Sequence, residues 1–134
     1  MVTRTVETGQ TVAKYRVVKD GNADHECQHA AAGELGFGVV VSIGDNTDVT
    51  AGAAGDRVTV ALLAGACIIP VLVGTGGATR GVLQQVVSDG VTDVTPNGAP
   101  SSGVLVGAVG IATQTGVAGD IIGLIPAPSF VLEE

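Results

Sequence analysis

Residues 54–62, Ala-Gly-Asp-Arg-Val-Thr-Val-Ala-Leu, decide the fold class of this chain. The first three residues are typical of a tight turn, because Gly and Asp accept backbone angles that other residues avoid. The remaining six are rich in β-branched side chains and have the length of one short strand. The same order returns at 118–124, where Ala-Gly-Asp precedes Ile-Ile-Gly-Leu. A turn followed by an apolar strand, used twice, predicts an all-β protein.

The similarity between the two stretches extends upstream of both turns. Gly-Val-Val-Val at 38–41 precedes the first Ala-Gly-Asp, and Gly-Val-Leu-Val at 103–106 precedes the second. We therefore predict two related halves that form a compact β-barrel or β-sandwich of short strands with glycine-rich turns. A chance match in a chain so rich in Val, Ala and Gly is the alternative.

The other short apolar runs are also predicted to be strands. Asp89-Gly90 is the strongest hairpin signal, because this dipeptide suits a two-residue turn between paired strands. Residues 23–35 favour a strand and a turn, although Ala30-Ala31-Ala32 leaves a helix open. Pro126 and Pro128 are expected to end regular pairing, because proline donates no hydrogen bond to a ladder. The predicted strands are 15–19, 38–43, 57–63, 66–73, 82–87, 91–95, 104–112 and 120–125.

The chain is expected to have three parts: an extended N-terminal arm at 1–14, a single β domain at 15–125 and a C-terminal tail at 126–134. The arm is polar, rich in Thr, and carries Arg4 and Lys14. We expect it to be mobile in the free protein and to become ordered on a binding partner.

The C-terminal tail carries three apolar residues after its prolines, namely Phe130, Val131 and Leu132. Such residues gain free energy when they leave water. We expect them to pack on a neighbouring subunit.

Composition excludes several classes of function. The net charge is −7 and only 2% of residues are aromatic, so both the basic patch and the stacking surface of a nucleic-acid-binding protein are missing. Residues 58–79 carry no charge, but Pro70 and several glycines interrupt them, so buried strands explain them better than a membrane span. Residues 1–7 lack the apolar core of a signal peptide. Four of the six basic residues lie within the first 19 positions.

His25, Cys27 and His29 form the strongest candidate for chemistry. On a strand their side chains would share one face and could approach a zinc ion, or pair a thiol nucleophile with an imidazole base. No fourth ligand is evident, so we interpret the segment as a half-exposed strand with a buried thiol. The spacing of Cys27 and Cys67 cannot decide whether they form a disulfide, and we expect free, buried thiols.

The remaining polar motifs are interpreted as turns. Asp45, Asp48 and Asp56 lack the spacing of a calcium-binding loop. The glycine-rich stretch 74–81 lacks the Gly-Lys-Ser/Thr ending of a phosphate-binding loop. We therefore predict a protein that is not an enzyme and that has no catalytic, cofactor-binding or metal-binding residues.

The order of these features resembles that of the small capsid decoration, or cement, proteins of tailed bacteriophages. The resemblance covers roughly residues 15–125 and departs from the family pattern in longer loops at 44–53 and 95–102 and in the proline-rich tail. It rests on five stretches, namely 15–19, 36–40, 54–62, 103–109 and 118–122.

That resemblance implies a virion protein on the outer capsid surface, assembled in the host cytoplasm. It would bind the major capsid protein, reinforce the head against internal DNA pressure and form a homo-oligomer, with a trimer favoured. Another structural module, such as a tail, fibre or surface-layer domain, is the first alternative. A metal-binding domain at His25, Cys27 and His29 is the second.

Overall fold

A computed structural model describes residues 1–44, 51–64, 67–88, 90–94 and 104–133. Within these ranges every regular element is a β-strand, which confirms the all-β prediction, and none forms a helix long and apolar enough to span a membrane. The strands in chain order are β1 (Val2–Val6), β2 (Thr11–Ala13), β3 (Val17–Asp20), β4 (Glu26–His29), β5 (Gly38–Ile43), β6 (Ala51–Ala53), β7 (Arg57–Leu62), β8 (Ile69–Leu72), β9 (Leu83–Ser88), β10 (Val91–Val94), β11 (Val104–Ala112) and β12 (Ile121–Glu133).

Five strands of the first half close into a barrel in the order β1-β4-β3-β5-β7. The barrel closes because β1 pairs with β4 in parallel and with β7 in antiparallel orientation. The small β2–β6 sheet contributes one buried residue, Val12, to the barrel core. The side chains that fill the barrel are mostly small and branched, namely Val6, Val12, Val18, Cys27, Val40, Ile43, Val58 and Val60.

The second half forms a five-stranded sheet in the order β10-β9-β11-β12-β8. Its two edge strands approach each other, because Val73 and Thr92 form a parallel bridge and the Gly74 N–H donates to the Thr92 carbonyl at 2.8 Å. The second sheet is therefore strongly curved. Its edge strands β8 and β10 meet at one bridge, whereas the first barrel is fully closed.

The second sheet repeats the topology of the first barrel strand for strand. β8, β9, β10, β11 and β12 correspond to β1, β3, β4, β5 and β7, and every pair keeps its parallel or antiparallel orientation. The registers also agree. The pair Val40–Val60 corresponds to Ala112–Leu124. The parallel pair Val6–Cys27 corresponds to the bridge between Val73 and Thr92.

The Ala-Gly-Asp turns are equivalent in the two halves. Asp56 and Asp120 each accept a hydrogen bond at 2.9 Å from the backbone N–H three residues earlier. Gly55 and Gly119 have φ values of +88° and +91°, which favour glycine over residues with a Cβ. The predicted repeat is confirmed at these turns.

The upstream part of the predicted repeat was matched to the wrong residues. The β5 residues 38–41 correspond to 110–113 in and after β11, because Gly38 lies opposite Leu62 and Gly110 lies opposite Pro126 in the same register. The stretch 103–106, which the sequence suggested instead, lies seven residues earlier. β11 is nine residues long and apolar throughout, so it offered a second plausible match.

The two halves pack against each other over a shared core. Val17, Val39 and Ala61 point out of the first barrel and join the interior residues of the second sheet in one buried cluster. Backbone hydrogen bonds fix this contact, since the Val17 N–H donates to the Gly90 carbonyl at 2.8 Å. The second sheet contributes Ile69, Val71, Val73, Ala78, Val86, Val109, Ala112, Ile122 and Leu124 to the cluster.

The N-terminal segment is not a separate arm. β1 is hydrogen-bonded to a barrel strand on each side, and Val6 and Val12 are fully buried. β1 and β2 are therefore paired strands of the structure and not an extended arm, and the mobility of residues 1–14 in the free protein stays a prediction. Their apolar residues belong to the barrel core, and freeing them would expose that core to water.

The prolines do not end regular pairing either. β12 continues past Pro126 and Pro128 to Glu133 and pairs with β11, so residue 125 is not a structural boundary. β8 begins at Ile69, opposite Leu124, so the described residues place a partner on only one edge of β12 beyond that point. The β11–β12 register also shifts between Ala108 and Gly110, beside the two prolines, and proline is tolerated at sheet edges and at such irregularities.

Two local predictions are confirmed. Residues 23–35 form strand β4 and a turn rather than a helix. β9 and β10 pair as the predicted hairpin around Gly90, while Asp89 lies outside the described residues.

Candidate functional site

A polar cleft on the first barrel gathers basic side chains of this acidic protein. It has a volume of about 520 Å³ and lies where β2 meets the side of β3 and β4. We call it the basic cleft, because Arg16, Lys19 and His29 are its titratable side chains. The residues around it are Gln10, Thr11, Ala13, Arg16, Lys19, Gln28, His29, Ala30 and Ala31.

Hydrogen bonds position the side chains of the basic cleft. Lys19 Nζ lies 2.8 Å from Glu34 Oε2, and this hydrogen-bonded lysine lowers the pKa of the Glu34 carboxyl. His29 Nε2 accepts a hydrogen bond from the Ala13 N–H at 3.0 Å, which holds the imidazole ring against β2. The cleft can therefore offer cationic donors and amide groups to an acidic partner, but no base–nucleophile pair.

Arg16 and Lys19 are two of the four basic residues within the first 19 positions, but local sequence does not place them beside His29. The cleft depends on the β3–β4 pairing and on the approach of β2, and neither can be read from local sequence. The concentration of basic residues before position 20 was the available signal.

The residues predicted to contact a partner through an N-terminal arm lie in two different places. Arg4 is on β1, its guanidinium carbon lies 5.3 Å from the centre of the Phe37 ring, and its Nη1 donates to the Thr3 carbonyl at 3.1 Å. Lys14 lies between β2 and β3, close in sequence to the basic cleft, and is half-buried. Contact of Arg4 and Lys14 with a shell stays a prediction.

His25, Cys27 and His29 occupy different environments. His25 is exposed, Cys27 is fully buried in the barrel and His29 is half-buried. Burial raises the pKa of the Cys27 thiol to about 11, although the nearby charge of Arg4 opposes this shift. A thiol that stays protonated at neutral pH is a poor nucleophile and a poor metal ligand.

The described part of the chain contains no cluster of three or more potential metal ligands. Within these residues, His25, Cys27 and His29 do not form such a group. Cys27 and Cys67 are both free; Cys27 is buried as expected, whereas Cys67 is exposed.

The other polar motifs have structural roles where the structure describes them. Asp56 accepts the turn hydrogen bond described above, and Asp45 and Asp48 lie outside the described residues. In the glycine-rich stretch 74–81 the Gly77 N–H donates to the Gly74 carbonyl, which forms a turn. A strand follows this turn, whereas a phosphate-binding loop would lead into a helix.

The predicted inter-subunit residues Phe130, Val131 and Leu132 lie in β12. Their backbones pair with residues 105–107 of β11. Packing of their side chains on a neighbouring subunit stays a prediction.

Known proteins show which fold this chain shares. No family model matches the chain, and no curated protein matches it. A solved structure, that of the head fiber gp8.5 N base in bacteriophage phi29, is similar with a TM-score of 0.62 and 20% sequence identity. The similarity covers 94% of this chain and 93% of that chain. Over nearly its whole length, this chain has the fold of that phage head-fiber base.

Proposed function

We propose that this chain is a structural protein of a phage virion that binds the outer surface of the head. The observation that carries the proposal is the shared fold over 94% of the chain with the phi29 head fiber base. The resemblance to capsid decoration proteins supports the same role. The protein would act by binding, as neither resemblance implies catalysis.

The basic cleft is the surface that best suits contact with a shell. The chain has a net charge of −7, so general attraction to another acidic protein is unfavourable. Arg16 and Lys19 place positive charge in the cleft, where Lys19 is already paired with Glu34 at 2.8 Å, so an acidic group on a shell could bind there. Each exposed ion pair contributes about 0–1 kcal/mol to binding, so ion pairs at the cleft would mainly orient the protein on the shell. Stable binding would also need apolar contacts or several binding sites at once.

We further propose that binding stabilises the head, as the resemblance to cement proteins implies. A protein that binds only the assembled shell stabilises it by about 2.7 kcal/mol per site when its concentration is a hundred times its Kd. The major capsid protein would be the partner. A homo-oligomer, with a trimer favoured, would bind several capsid subunits at once and gain avidity.

The second candidate is the base of a head fibre, and the name of the phi29 neighbour favours it. Both candidates predict attachment to heads, but only a cement protein is required for head stability. Comparing the resistance of decorated and undecorated heads to heat and to a chelator separates the two.

The test is co-sedimentation of the purified chain with expanded phage heads that lack it, and with unexpanded precursors. The proposal predicts saturable binding to expanded heads. Arg16→Gln should weaken binding, whereas Arg80→Gln, an equal charge change on the exposed surface of the second half, should leave it unchanged. Thermal unfolding of both variants verifies that they are folded. Absence of binding by the unmodified chain to either kind of head would refute the head-binding role.

A further inference from the structure

The outward side of the second sheet carries a group of apolar side chains. Leu72 lies opposite Ile121, and Ile111 lies between Leu83 and Ile125, so the five side chains share one face of the sheet. Ile121 is 49% exposed and Ile125 is 44% exposed. We define the outer apolar face by seven residues, the five above together with Ile68 and Pro70 beside them, and none of the seven carries a charge.

The first barrel supplies an internal comparison for the edge of this face. Leu72 and Ile121 correspond to Thr5 and Arg57, which form the equivalent pair between β1 and β7. The same fold at the same positions is therefore polar in the first barrel and apolar in the second sheet. Since apolar side chains are not needed here for the strands to pair, their presence calls for another explanation.

The centre of the face supplies a second comparison. Leu83, Ile111 and Ile125 occupy the positions that Val17, Val39 and Ala61 occupy in the first barrel. Those three residues are buried, because the second half of the same chain covers them. The corresponding positions of the second sheet have no such cover within the described residues.

We propose that a second copy of this chain covers the outer apolar face. The three central positions already form a contact between two five-stranded units of this fold within one chain. The interior of the second sheet, which covers these positions within one chain, is already filled, so in a pair of copies the two outer apolar faces would pack on each other. The inference deepens the self-association part of the proposed function by naming its surface, and it does not depend on head binding.

Sedimentation equilibrium of the purified full chain over a wide concentration range tests the proposal. The chain should self-associate, and Ile121→Arg should raise the dissociation constant at least tenfold. This substitution introduces the residue type that the first barrel carries at the corresponding position, so the strand accommodates it. Leu72→Thr is a second variant, because Thr5 occupies the corresponding position of the first barrel. It should also weaken association.

Thr3→Arg is the matched control, because it adds the same charge at an exposed position on the outer side of the first barrel. It should associate like the unmodified chain. Monomeric behaviour of the unmodified chain at every concentration would overturn the proposal, and so would folded Ile121→Arg and Leu72→Thr variants that associate normally. Because no heads are present, either result leaves the head-binding test unaffected.

Discussion

Replacing Gln84 with Val should stabilise the protein. Gln84 is fully buried inside the second sheet, and its Oε1 has no hydrogen-bond partner among the described residues. Its Nε2 donates two long hydrogen bonds, to the Val82 carbonyl at 3.2 Å and to the Leu83 carbonyl at 3.4 Å. The corresponding position of the first barrel holds Val18, which is equally buried.

The expected gain follows from three contributions. An unsatisfied buried acceptor costs about 1–3 kcal/mol, and Val removes it with little change in side-chain volume. The substitution loses two weak hydrogen bonds, each contributing at most about 1 kcal/mol, while the Val82 carbonyl keeps its bond from the Ala112 N–H at 3.1 Å. Val also loses less side-chain entropy than Gln on burial. The net stabilisation should be about 1 kcal/mol.

Denaturant unfolding followed by circular dichroism measures this difference directly. Thermal unfolding should show a Tm increase of about 4 °C, given an unfolding entropy of about 2.1 cal/mol/K per residue. The reciprocal variant Val18→Gln should lose about 2 kcal/mol or more, because it buries a polar group in an apolar barrel. A Gln84→Val variant less stable than the unmodified protein would contradict this expectation, since it would show that the interactions of the Gln84 side chain outweigh the cost of its unpaired oxygen.

Three further outcomes are expected. Gly110→Ala should destabilise the protein by about 1–3 kcal/mol, because a Cβ there would overlap the Ile125 carbonyl. Denaturant unfolding measures this loss, and an unchanged free energy of unfolding would show that β12 can move away. In the native protein at pH 7, the exposed Cys67 should react rapidly with a maleimide, whereas the buried Cys27 should not. Fast modification of both thiols would contradict the burial and the raised pKa of Cys27. Asp120→Ala should cost about 1 kcal/mol by removing an acceptor from its turn, which comparison of unfolding midpoints would detect.

The Ala-Gly-Asp turns show what local sequence could predict. Each turn contains its own glycine and its own hydrogen bond from Asp56 or Asp120, so no distant residue is needed to form it. The alternation of Val, Thr and Arg in β1 was an equally local signal that was missed. Thr3 and Thr5 lie on the outer side of the barrel while Val6 is buried, which is the pattern of a barrel strand and not of a free arm.

Surfaces assembled from distant segments could not be predicted. The basic cleft joins residues from Gln10 to Ala31 across three strands, and its existence depends on the closure of the barrel. The outer apolar face likewise combines β8, β9, β11 and β12. In sequence these strands resemble buried strands. The pairing registers show which side chains share a face, and the exposed surface of Ile121 and Ile125 shows that this face is open to solvent.

Electron cryo-microscopy of phage heads with and without the bound chain would show where the chain attaches. If it binds through the basic cleft, additional density will lie on the outer surface of the head, with the first barrel and its basic cleft towards the shell. Additional density on the inner surface, or density that contacts the shell only through the second sheet, would contradict that mode of binding.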